Sequence, residues 1–197
     1  MANLMVAVPY IKKAEGGLSR ATTDTASKNP APYVYKGLSG WHTNKGVTWT
    51  SFKSLGKTLG YEVNATNFFR MPDSIWLKIY EYGYFKPILA HQFHSDVIGM
   101  TIADYAWAFG VGGAKSRLLK WLTAEFKAKV NTMSQAVQFI NSQNEATFFK
   151  KLLQHRKEAF LRLNQPKNNK GWLSRMDELE KFAMELLKKK ELENPLT

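Results

Sequence analysis

A mainly α-helical protein is what this sequence predicts, and three observations carry the expectation. Apolar residues recur at helical intervals along most of the chain, and prolines and glycines fall where such segments should start or stop. The third is an exception: residues 18–45 are dense in Ser, Thr, Asn, Gly and Pro, which signals a long irregular segment with room for a short β-hairpin within 18–47. No internal repeat is visible.

The elements follow in order. Residues 3–15 read as a helix, with Pro9 near its start or kinking it and Gly16-Gly17 stopping it, so that Glu15 sits at a helix C-terminus. After the irregular segment, "TWTSFKSLGKTLG" (48–60) spaces Trp49, Phe52 and Leu55 on one helical face, with Thr48 a candidate N-cap. "MPDSIWLKIYEYGYF" (71–85) opens on Pro72 and Asp73 and sets Ile75, Trp76, Ile79 and Tyr80 on one side. "MTIADYAWAFGVGGAKSRLLKWLTAEF" (100–126) predicts a buried helix ending near Gly110 and a second from about Ala114. "MSQAVQFINS" (133–142) and the long amphipathic "NEATFFKKLLQHRKEAFLRLN" (144–164) continue the pattern. "QPKNNKG" (165–171) reads as a basic break before a last helix, 172–194, expected to fray into solvent.

Composition bounds the function. At 197 residues and 44% hydrophobic, the chain suits one sizeable core or one domain with a helical extension. Six tryptophans and 13% aromatics suggest a ligand-binding face. A net charge of +12 favours a polyanionic surface: nucleic acid, acidic lipid headgroups or an anionic cell wall. Cysteine is absent, which excludes disulfides, a thiolate nucleophile and Cys-based metal sites. The N-terminus lacks the basic region of a signal peptide, and no run of about 18 apolar residues occurs, so a soluble product made in the cytoplasm, without stable membrane insertion, is expected.

Two suggestive patterns fail their chemistry. "GVGGAKS" lacks a phosphate loop's spacing, having Ala114 directly before the lysine and Phe109 five positions earlier. His91 and His94 are three apart, whereas a zinc helix uses four with an intervening Glu, so no metal is expected. Lys150-Lys151, Arg156-Lys157 and Lys188 to Lys190 could contact phosphates or form solvated helix faces. No nucleic-acid motif accompanies them.

The pattern with chemical content is Glu15 with Asp24, nine residues on. Cleaving a glycosidic bond needs a carboxylic acid to protonate the leaving oxygen, and the negative end of a helix dipole favours the protonated form of a carboxyl placed there. The alternative is a solvated helix-end glutamate. Asp24 could orient water or stabilise an oxocarbenium ion, but "TTDTAS" is equally a capping or turn sequence. "HTNKGVTW" (42–49) sets His42, Thr43 and Asn44 before Gly46, a glycine suited to positive φ or close backbone approach, and reads equally as a helix entry or a functional loop.

Together the pieces resemble glycoside hydrolase family 108, the lysozyme-like N-acetylmuramidases of phages, prophages and bacterial secretion loci. That family opens with a helix ending in Glu-Gly-Gly, an Asp nine residues after the Glu, and a later Thr-Asn-x-Gly-[Ile/Val]-Thr. This chain has Glu15-Gly16-Gly17, Asp24 and "TNKGVT" at 43–48. "IADYAWAFGVGGAK" (102–115) is similar to the family's Asp-aromatic-x-Trp helix, and "RKEAFLRLNQPKNNKGWLSRMDEL" to the closing block of its associated peptidoglycan-related region. Many members carry another Asp six residues after the Glu, where this chain has Ala21, and the stretch from Asp24 to Thr43 is longer than usual.

The resemblance implies a lysozyme-like α-helical catalytic region over residues 1–95 and a helical peptidoglycan-related region over 96–197, packed as one unit. It implies a monomeric endolysin-type muramidase, with no cofactor, acting on peptidoglycan glycan strands and on no nucleic acid. Catalytic candidates are Glu15 as general acid, Thr43 for positioning and Asp24 as a second carboxylate. Substrate-binding candidates are Asn44, Trp49, Asp104, Tyr105 and Trp107, with core packing the alternative for Trp107. The enzyme is expected to reach the wall or periplasm by a holin-type pore, dedicated export or lysis. Rival expectations are a non-catalytic wall-binding protein of the same fold and a lytic transglycosylase.

Overall fold

A computed structural model describes residues 1–193. The chain is mainly α, of the lysozyme-like class, with one small antiparallel sheet. Of the last helix expected over 172–194, Asn194 lies outside the described residues. Contacts divide the chain into two compact units, Ile11–Gly83 and Met1–Tyr10 with Tyr84 onward.

In the unit Ile11–Gly83, the end of helix α1 (Leu4–Ala14) leads into strand β1 (Leu18–Ser19). β1 pairs with β2 (Thr43–Asn44), which pairs with β3 (Val47–Thr48), giving a three-stranded sheet in sequence order. Helices α2 (Trp49–Thr58), α3 (Ala65–Phe69) and α4 (Asp73–Tyr80) follow. Thr48 caps α2 as expected, its side chain accepting from the Ser51 amide. Ile11, Val47, Phe52, Phe68, Trp76 and Ile79 are buried in this unit.

Aromatic contacts pin the long segment between β1 and β2. Tyr35 stacks on Phe69 with centroids 4.4 Å apart, Tyr33 meets Trp49 edge-on at 5.4 Å, and the Trp41 indole N–H donates to the Tyr35 and Leu38 carbonyls. Its irregularity is therefore not looseness. α3 has too few residues to show a helical period, though its N-cap, Asn64 accepting from the Asn67 amide at 2.8 Å, is a readable start signal.

The other unit is built on α5 (Asp96–Phe109), a helix buried over most of its length. α6 (Val111–Phe126), α7 (Met133–Asn141), α8 (Glu145–Leu161) and α9 (Pro166–Glu193) complete it. Gly110, at φ 71°, makes the turn between α5 and α6. α6 begins at Val111, ahead of the expected Ala114, so Gly112 and Gly113 lie inside it.

"QPKNNKG" is likewise no break. α9 starts at Pro166, where a missing N–H is harmless, and Trp172 stacks on Phe160 at 5.2 Å, so packing on α8 outweighs the poor helix formers. Arg156 is neither a phosphate contact nor a solvated charge, for it is fully buried. It shares the apolar stripe of Leu152, Leu153, Ala159 and Phe160.

Candidate active site

Glu15 follows α1 directly. Its amide still bonds the Ile11 carbonyl at 2.9 Å, and its half-buried side chain leaves the last helical turn. Gly16 and Gly17 come next, both exposed, and a Cβ built on either would meet nothing within 4 Å. Neither has a positive φ. Neither the backbone nor the packing demands glycine at these positions: apart from the chain neighbours, no described residue lies within 4 Å of where their side chains would begin.

Backbone hydrogen bonds join this segment to the distant hairpin. Leu18 and Ser19 pair with Asn44 and Thr43, and the Lys45 amide donates to the Gly17 carbonyl at 3.0 Å. Lys45 (φ 50°) and Gly46 (φ 74°) both take positive φ, as a two-residue hairpin turn matching strand twist requires. The expected role of Gly46 is thus realised.

A charged clamp holds the turn. Lys45 Nζ donates to Asp73 Oδ1 at 2.7 Å and to the Met71 carbonyl at 2.9 Å, while Lys12, in the last turn of α1, donates to Asp73 Oδ2 at 2.6 Å. The hydrogen bonds from Lys12 and then Lys45 lower the Asp73 carboxyl to about 2. The Trp76 indole also donates to the Lys45 carbonyl at 2.9 Å.

The other residues around the hairpin are more committed to the fold than the sequence suggests. Thr43 is buried within the sheet. Asn44 is buried and turned inward, its amide donating to the carbonyls of Phe68 at 2.7 Å and Phe69 at 3.3 Å, so it closes the end of α3 rather than facing a groove. Trp49 is 9% exposed, packed against Phe52 and edge-on to Phe68. Only its rim is open to a ligand.

Asp24 is exposed, and here the capping alternative is realised. Its Oδ1 accepts from the Ala26 amide at 2.9 Å, capping the short 3-10 turn Thr25–Lys28. Its Oδ2 lies 3.6 Å from Nε2 of His42. His42 has no exposed surface, and neither ring nitrogen has a hydrogen-bond partner among the described residues. Its backbone is held on both sides, donating to Ser19 and accepting from Trp49. A buried imidazole with no hydrogen-bond partner, facing an accessible carboxylate, is unusual; the sequence places His42 in the candidate loop without marking it as a catalytic or binding residue. The readable signal was a histidine next to the Thr-Asn-Lys-Gly turn.

Asp104, Tyr105 and Trp107 belong to the other unit. Asp104 has no exposed surface and accepts from Arg156 and from Arg175, each at 2.6 Å. Burial opposes its ionisation, but Arg175 and Arg156 outweigh that and hold the carboxyl below its ordinary range. Tyr105 is also fully buried, its hydroxyl 3.2 Å from His155 Nε2, and burial pushes it up to about 12. Neither side chain can line a groove, since their polar atoms are used inside the core. Trp107 is half-buried against Tyr84, at 4.6 Å.

The Glu15 region places together a half-buried carboxyl at a helix end and two exposed glycines directly after it. The structure of Brucella abortus SagA shares this fold with a TM-score of 0.65 at 20% identity, over 92% of this chain and 93% of that one. Among curated proteins, no match is found. The family Glycosyl hydrolase 108 matches residues 8–110, more than half of the sequence and the span that holds Glu15, Asp24 and the hairpin. The chain belongs to the Glycosyl hydrolase 108 family, and so to the glycoside hydrolases.

Proposed function

We propose that this protein is an N-acetylmuramidase that cleaves the β-1,4 bond between N-acetylmuramic acid and N-acetylglucosamine in peptidoglycan, with Glu15 as general acid. One observation carries the reading. Glu15 is followed by two exposed glycines that neither the backbone nor the packing needs, and the amide of Lys45 ties that segment to the Thr-Asn-Lys-Gly turn. Space beside a carboxyl is what a glycan strand needs if its bridging oxygen is to come within proton-transfer reach. The net charge of +12 adds long-range attraction to an anionic wall.

In this reading residues 1–95 form the catalytic region and 96–197 a peptidoglycan-related region. Thr43 shapes the sheet beside Glu15. Asp24, oriented by the Ala26 amide and facing His42, is the carboxylate available to steer water.

A second reading has support in the same contacts. With one Asp24 oxygen engaged by a cap, chemistry that needs a single acid, the lytic transglycosylase reaction, fits Glu15 equally well. Digestion of purified peptidoglycan by the wild type and Glu15→Gln, with released ends identified by mass spectrometry, separates these. Reducing muramic ends that fall roughly a hundredfold or more in the variant are expected of a muramidase with Glu15 as its acid. Anhydro ends would convert the assignment to transglycosylase. Wall pelleting without release by the wild type would leave only a binding protein.

A further inference from the structure

Beyond the residues that the family match covers, α6 and α8 border an open groove of about 790 Å³. That is a size typical of small-ligand pockets. Its floor is aromatic and uncharged. The Trp121 indole lies nearly parallel to the His155 imidazole, with centroids 4.7 Å apart, and burial, then Arg162, lowers His155 to about 4. At neutral pH the imidazole is therefore neutral.

The walls are charged, and only in part self-neutralised. Lys151 pairs with Glu125 at 2.7 Å and Arg162 with Glu158 at 2.9 Å. Three lining cations remain. Arg117 sits over the Phe109 ring at 4.7 Å and donates to the Gly113 carbonyl, and neither it nor Lys120 nor Lys150 has a carboxylate partner among the described residues. The groove thus combines an apolar floor, three uncompensated positive charges and two carboxylates already holding cations.

That mixture selects among anions. A phosphate polymer brings one negative charge per unit and no positive one, and so has nothing to offer the part-exposed carboxylates of Glu125 and Glu158. A short peptide with several carboxylates, one ammonium group and small apolar side chains finds a partner for each feature. We propose that the α6–α8 groove binds the stem peptide carried by muramic acid. Its carboxylates meet Lys120, Lys150 and Arg117, its ammonium group meets the Glu125 side, and its alanine methyls lie on the Trp121–His155 floor. The proposal rests on peptidoglycan as the substrate, but not on Glu15 as the acid.

The test is a fluorescence anisotropy titration of the full chain with a dye-labelled synthetic tetrapeptide, L-Ala-D-isoGlu-diaminopimelate-D-Ala, at low ionic strength. The wild type should bind saturably. Lys120→Gln/Lys150→Gln, which changes two exposed side chains, should bind roughly tenfold more weakly at an unchanged Tm, and the carboxyl-amidated peptide should weaken by a similar factor. Absence of saturable binding to the wild type, or equal affinity for the double variant, would overturn the proposal. So would an oligonucleotide or polyglycerol phosphate displacing the probe more effectively than unlabelled peptide. The probe has no glycosidic bond, so its binding stands or falls separately from cleavage by Glu15.

Discussion

Replacing Asp104 by Asn should cost this protein a large share of its stability. The substitution keeps the side chain's shape but removes the charge that both Arg156 and Arg175 face at 2.6 Å. Arg156 is wholly buried, and among the described residues its one other hydrogen bond is to the Thr101 carbonyl, with Nε lacking a partner. Breaking a buried ion pair from one side costs ~3–5 kcal/mol. Arg175 keeps 18% of its side chain exposed and can recover some hydration, which favours the lower end. With a urea dependence of about 2 kcal/mol per molar, a loss of ~3 kcal/mol lowers the unfolding midpoint by ~1.5 M. Urea titration followed by circular dichroism at pH 7 reads this directly. The linkage has a definite sign: a carboxyl held below its ordinary 3.8 stabilises the fold above that value, and that contribution is lost as pH falls through its folded value. The gap between wild type and variant should therefore stay constant from neutral pH down to the ordinary carboxyl range and narrow below it. A midpoint shift under about 0.5 M at pH 7 would refute the account of Asp104 as a buried counter-charge.

Three further outcomes follow from named contacts. Gly16→Ala should leave thermal stability within about 0.5 kcal/mol, since an added Cβ meets no described residue beyond the chain neighbours, yet lower kcat/KM on glycan strands if a strand occupies that space; unchanged kinetics would remove the open-approach argument. Asn44→Ala should destabilise by ~1–3 kcal/mol by leaving the Phe68 and Phe69 carbonyls without their donor, and a thermal melt indistinguishable from wild type would contradict that. His155 sits at about 4 in the folded chain against an ordinary 6.5, so the unfolded chain takes up a proton that the folded one refuses, and stability declines as pH falls from 6.5 towards 4. His155→Gln should flatten the pH dependence of Tm over that window, and parallel curves would show that His155 does not contribute to it.

What the sequence makes legible depends on the range of each interaction. The cap at Thr48 and the turn at Gly46 are short-range matters of backbone and capping chemistry and stand as the residues announce them, and the first helix, expected over 3–15, differs only by one residue at each end. The partners of Asp104 lie 52 and 71 residues away, and no local pattern joins them. The one clue was positional, a basic residue on the apolar stripe of α8, where a solvated charge does not belong. The run 165–171 misled for the opposite reason: its local propensity is poor, and packing against α8 decides the outcome.

The candidate site divides along the same line. Asp104 and Tyr105 stand in a recognisable aromatic motif, yet each is spent on the core, so a motif can mark a folding requirement as readily as a ligand contact. Glu15-Gly16-Gly17 differs in that subtracting the structural demands leaves something over. No positive φ calls for the two glycines, and a Cβ at either would meet no described residue beyond its chain neighbours. What remains to explain them is an object outside the chain that approaches the backbone beside a carboxyl. In the proposed function that object is a glycan strand, and the pair Gly16→Ala and Glu15→Gln tests its two parts separately: the first should narrow access to the site, and the second should remove the proton.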